Sequence, residues 1–154
     1  MSLVSELAAL EVARQKSERD NMEAARFRWQ QLAVRAKQAF DDIAAEAKRA
    51  VEEYNTLPGK SVASLHCESC AFEIVKHGRT DKVFRVHLSS TVPPEIECAG
   101  FERSGPVKSA QQQASAYVLD PDSSLCAWIR KLGTTTARIS SKEVLSDILK
   151  WALG

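Results

Sequence analysis

Residues 1–57 contain neither glycine nor proline, and all six glycines and five prolines of the chain lie from Pro58 onward. A backbone lacking both residues has no strong local means of breaking a helix, so this boundary separates two kinds of structure. Ala, Glu, Arg, Gln and Leu dominate the first part, and all are good helix formers. At 100° per residue, Ala25, Trp29, Leu32, Ala36, Ala39, Ile43, Ala47, Ala50 and Tyr54 share one stripe, flanked by Phe40 and Val51. The stripe predicts a helix buried along one side. Leu57-Pro58-Gly59 ends it, because proline cannot continue the ladder and glycine admits a left-handed exit.

The start of this segment reads in two ways. Leu3 and Leu7 continue the stripe, while Glu11, Arg14 and Glu18 interrupt it with charge, and Asp20-Asn21-Met22-Glu23 has the pattern of a capping box. Either one helix of about 80 Å runs from Ser2 to Asn55, or a helical hairpin turns near residues 17–21. With no glycine or proline to enforce a turn, the single helix is favoured. Such a helix overhangs any body the remaining residues can build, since a domain of about 100 residues has a radius of gyration of only ~13 Å. Phe27 and Val34, one heptad apart, lie opposite the main stripe. The overhang and this second face imply self-association, with Leu3, Leu7, Leu10, Phe27 and Val34 as candidate interface residues and a twofold homodimer as the expected assembly.

From Ser61 the texture changes to period-two alternation with β-branched and aromatic residues. Phe72 and Ile74 alternate with Glu73 and Val75; Phe84, Val86 and Leu88 alternate with Arg85 and His87. An odd loop centred on Thr80 keeps the apolar residues on one face, pairing Ile74 with Val86, Phe72 with Leu88, and Glu73 with His87. Further strands are expected over 95–101, 115–119 and 125–129, with a short one at 135–139. A turn at Asp120-Pro121-Asp122-Ser123 pairs Val118 with Leu125 and sets Trp128 on the Tyr117 face. Ser140-Ser141-Lys142-Glu143 is a second capping box, opening a closing helix. Residues 102–113 read as a long polar connection. The expected fold is therefore α+β: a long N-terminal helix over 1–57, an antiparallel meander of about five to six strands and a short C-terminal helix over 58–154, forming one compact domain overall.

The chemical candidates concentrate in Ser64–Gly78, which holds two of the four cysteines and two of the three histidines. Cys67 and Cys70 have knuckle spacing, and His77 and Cys98 are the remaining candidates for a zinc tetrad. Against that, no second Cys-x-x-Cys is present, and strand texture follows Cys70 where a redox pair needs a helix N-terminus. The three cysteines fall in phase with apolar neighbours and read as core thiols, so no metal or cofactor is expected. Gly100 and Gly105 have phosphate-loop spacing but no lysine follows them, and no nucleophile stands beside a readable base.

The net charge is +1, and the basic residues between Arg14 and Lys37 divide between two sides of the helix, a poor match to a phosphate backbone. The N-terminal stretch carries Glu6 and Glu11 where a secretion signal would be apolar, and no apolar run approaches a membrane span. The expectation is a non-enzymatic cytoplasmic adaptor or protein–protein interaction module that self-associates through its helix. A nucleic-acid-binding protein that uses the basic residues of the N-terminal helix, with or without a stabilising zinc, is the second reading, and an enzyme with an unrecognised site the third.

Overall fold

The computed structural model describes residues 2–59, 62–91, 93–121, 127–131 and 138–154, the side chains of 113 and 114 excepted. Helix α1 spans Leu3–Thr56, a single uninterrupted helix of 54 residues. Ser2 caps it, its hydroxyl accepting the Ser5 N–H at 3.2 Å. Asp20 and Glu23 cap nothing, because the residues around them all favour helix and nothing forces an exit. At the other end Leu57 turns extended, its N–H returning to the Tyr54 carbonyl, and Gly59 takes a φ of 73° that a side chain would resist.

Eight strands follow among the described residues: β1 (Ala63–Cys67), β2 (Ala71–Lys76), β3 (Asp81–Ser89), β4 (Glu95–Ser104), β5 (Val107–Lys108), β6 (Gln112–Leu119), β7 (Trp128–Arg130) and β8 (Arg138–Ile139). They form one antiparallel sheet in the order β1-β2-β3-β4-β6-β7-β8, with β5 also paired to β4. Helix α2 (Ser141–Leu153) closes the chain, capped by Ser140 through the Glu143 N–H at 3.2 Å. No described helix is long and apolar enough to cross a membrane.

Both helices cover the same face of the sheet. On that face Phe72 and Ile74 (β2), Phe84 and Val86 (β3), Ile96 and Cys98 (β4), and Tyr117, Leu119 and Trp128 (β6 and β7) meet Phe40, Ile43 and Ala47 of α1 and Val144, Ile148 and Ala152 of α2 in one apolar core. Phe40 and Phe72 lie with ring centroids 5.5 Å apart. The opposite face carries cross-strand charge: Arg85 with Glu73 at 3.8 Å, Arg103 with Asp81 at 3.7 Å, and Lys131 with Glu95 at 3.2 Å.

Two expected registers differ. The β2–β3 loop is odd, as the faces require, but centred on Arg79: Ile74 pairs Phe84 and Phe72 pairs Val86, two residues away from the expected pairing. Arg85, not His87, therefore stands across from Glu73, and the carboxylate beside His87 is Glu97 of β4, 4.0 Å from Nδ1. In β6–β7, Val118 pairs Ile129 and Leu119 pairs Trp128, four residues from the expected register. Shifts of two or four keep every side chain on its face, so apolar alternation cannot distinguish them. Trp128 accordingly shares the Tyr117 face, fully buried. The proposed turn residues Asp122 and Ser123, the partners Leu125 and Cys126, and residues 135–137 of the last strand lie outside the described residues.

The polar segment 102–113 is not a loop. β4 runs on to Ser104, Gly105 turns with a φ of 59°, and Pro106 leads into β5. A positive-φ glycine followed by proline suits a two-residue hairpin turn. The strand count exceeds the expected five to six because β5 has too few apolar residues to signal a strand and because Ala63–Cys67 pairs with β2 as an edge strand of its own.

Candidate interaction site

Burial along α1 begins only at Leu32 and continues through Tyr54. Ala25 and Trp29, expected in the core, lie outside it, Ala25 exposed and Trp29 at 36% exposure. The body is narrower than the stripe, leaving residues 2–31 as an arm of about 45 Å. The arm carries Leu3, Leu7, Leu10 and Met22, each more than half exposed. These extend the angular stripe that is buried further along, so the arm offers the same apolar side that the sheet covers in the second half.

Charge divides that side into two apolar patches. Arg14 bridges Glu11 at 2.5 Å and Glu18 at 2.7 Å, and Gln15 donates to Glu11. The Arg14 guanidinium holds the Glu11 carboxyl below its usual range, and Glu11 in turn raises Arg14. These pairs follow helix spacing and support a helix that nothing else packs against. Phe27 (61% exposed) and Val34 (59%) lie on the other side of α1, with Gln30, Gln31, Arg35 and Gln38 around them. The structure thus separates the five candidate interface residues into two sets on opposite sides of one helix.

The zinc candidates do not gather. Cys67 ends β1 and Cys70 sits in the following turn, closed by the Glu68 N–H on the Ala71 carbonyl at 2.8 Å. His77 lies past the far end of β2, bonded to Ser64 and 3.5 Å from Asp81, some 20 Å of strand from Cys70. Cys98 is in the core opposite Ser115. Among the described residues no three His, Cys, Asp or Glu side chains are placed to share a metal. Cys67 and Cys70 are also exposed, contrary to their reading as core thiols. Strand parity points Cys67 toward the helices, but both thiols sit at the sheet's end, where α1 is leaving the body.

Groups with enzymatic potential are tied into packing. Burial pushes the Cys98 thiol and the Tyr117 phenol each up to about 12, so both stay protonated. The Tyr117 hydroxyl donates to Asp147 Oδ2 at 2.9 Å, and Arg130 donates to the same oxygen, fixing α2 to β6 and β7. Of the basic residues on α1, Arg14 is held by Glu11 and Glu18, while Lys37 bridges Asp41 at 2.5 Å and donates to the Ser69 carbonyl.

One feature escaped the sequence reading. Trp151, 61% exposed, lies nearly parallel to Phe84 with centroids 6.4 Å apart. Together with Gly100, Glu102 and Ser109 they line a cleft of about 490 Å³ between α2 and the β4–β5 hairpin. The cleft depends on that hairpin, which apolar periodicity did not reveal. Comparison of the chain with protein-family models, with curated proteins and with solved structures gave no match.

Proposed function

We propose that this chain is a non-enzymatic interaction module that forms a homodimer through the free half of its N-terminal helix, leaving the α+β body to meet a protein partner. One observation carries the reading: α1 continues for about 45 Å beyond its last contact with the core, with large apolar side chains exposed along it. An isolated helix of that length gains most of its stability from packing an apolar face, and exposed apolar surface on this scale marks an interaction site. The described cysteines Cys67, Cys70 and Cys98 are free thiols, which suits the reducing cytoplasm that we propose as the protein's location.

Light scattering of the intact chain over a dilution series tests this. The expected result is a mass near twice 17.0 kDa at tens of micromolar, falling toward 17.0 kDa on dilution. A single-chain mass throughout, with salt-dependent binding to DNA or RNA, would replace it with the nucleic-acid reading.

A further inference from the structure

Resting on that reading, we infer that two copies pair their free helical arms antiparallel, about a twofold axis passing near Lys16. Leu3, Leu7, Leu10, Arg14, Glu18, Met22, Ala25 and Trp29 share the side that the sheet covers further along. Read from either end, the intervals between them form the same series and the chemistry mirrors, three apolar residues on each side of a charge and its opposite; Glu11, which also lies on this side, falls across from Asn21. A twofold interface requires that if residue i meets residue j, then j meets i. Antiparallel pairing satisfies this at every position, setting Leu3 against Trp29, Leu7 against Ala25, Leu10 against Met22, and Arg14 against Glu18.

Charge selects the direction. In a parallel pair Arg14 would meet Arg14 and Glu18 would meet Glu18 across the seam. In the antiparallel pair each Arg14 meets the partner's Glu18, twice by symmetry, and keeps its own Glu11 and Glu18 on the same helix. Complementary charge at the centre of a seam fixes register and orientation.

The length of the arm agrees. The Ser2 cap opens α1 and Leu32 is its first buried residue, and the midpoint of the free helical span between them falls at Ser17, beside Lys16. The partner's Leu3 then lies level with Trp29, so its helix ends just before the body begins. Beyond that point the β1–β2 turn, tied to α1 through Lys37 and the Ser69 carbonyl, closes the same side of the helix.

The experiment uses full-length protein with Cys67, Cys70 and Cys126 replaced by serine, its mass first checked by light scattering. Nitroxide labels are attached at Lys16→Cys or Glu6→Cys, both pointing away from the seam, and distances are read by pulsed dipolar spectroscopy. Antiparallel arms give a short distance between the two labels at 16 and an axial separation of about 30 Å between the two at 6. A dimer with equally short distances at both positions overturns the antiparallel arrangement and leaves the dimer reading standing; a monomer overturns both. As an independent check, Arg14→Glu should weaken the dimer by about tenfold or more, and adding Glu18→Arg should restore it. A dimer insensitive to Arg14→Glu contradicts the inference, because parallel arms merely exchange one like-charge contact for another.

Discussion

Asn55 and Ala63 exchange two hydrogen bonds: the side-chain Nδ2 donates to the Ala63 carbonyl and Oδ1 accepts the Ala63 N–H, each at 2.8 Å. The pair joins the last turn of α1 to the edge strand β1 and satisfies a peptide that has no neighbouring strand on that side. Asn55→Ala should therefore destabilise the body by about 1–3 kcal/mol in urea titration, the range for leaving partly buried polar groups unpaired. A change below about 0.5 kcal/mol, as at ordinary surface sites, would show that the bridge does not hold the edge.

Trp128 is fully buried between Leu119 and Ile139, and its indole N–H donates to Ser141 Oγ at 2.9 Å. Trp128→Ala removes the largest buried side chain and an anchor of α2, and should cost ~3–5 kcal/mol. A loss under about 1 kcal/mol would mean that β7 does not lie inside the core.

Stability should fall in alkali. Cys98 and Tyr117 have folded pKa values raised to about 12 from ordinary values of 9.0 and 10.0, chiefly by burial. Above pH 9 the unfolded chain therefore loses protons that the folded chain keeps, so stability is fully present below that pH and declines as pH rises toward 12. The limiting slope is roughly 1.4 kcal/mol per pH unit for each group. Cys98→Ala should make the decline between pH 9 and 10 shallower in denaturant titrations at stepped pH. An unchanged slope would contradict the assignment.

The described cysteines should divide by reactivity. In a Cys126→Ser background, a thiol reagent should modify Cys67 and Cys70 rapidly in the native protein, and Cys98 only on unfolding. The same protein should bind no stoichiometric zinc, and EDTA should leave its Tm unchanged. One zinc per chain, lost together with stability, would show that the knuckle finds its other ligands elsewhere.

The long helix was legible because composition and periodicity agree over many turns, and the Ser140–Glu143 cap because its four residues carry their own geometry. Faces of strands were legible too, since Phe72, Ile74, Phe84 and Val86 fall on the buried side. Register was not: a slip of two residues leaves each face intact, and only the loop chooses between Leu88 and Val86 as the partner of Phe72. The hairpin from Glu102 to Lys108 stayed hidden because its side chains are mostly exposed, so it has no apolar face to announce it. Cys67 and Cys70 were misplaced for a related reason. Parity tells which way a strand residue points, but not where the covering helix stops.

The two sides of the arm can be tested separately. Phe27→Glu with Val34→Glu places charge on the side away from Leu3, Leu7 and Leu10. If that side also packs in the assembly, buried unpaired carboxylates should weaken association by several kcal/mol in sedimentation equilibrium. If the Leu3–Trp29 side carries the dimer alone, the mass should be unchanged, which would remove Phe27 and Val34 from the interface.

In the proposed assembly the first half of α1 serves association and the second half serves the fold. This division is tested by light-scattering mass measured beside far-UV circular dichroism for the intact chain and for a chain lacking residues 1–20. The intact protein should be a dimer at tens of micromolar, and the truncated protein a monomer with its sheet signal and cooperative melt retained, because the core on α1 begins at Leu32. A truncated chain that unfolds, or an intact chain that is already monomeric at that concentration, would contradict it.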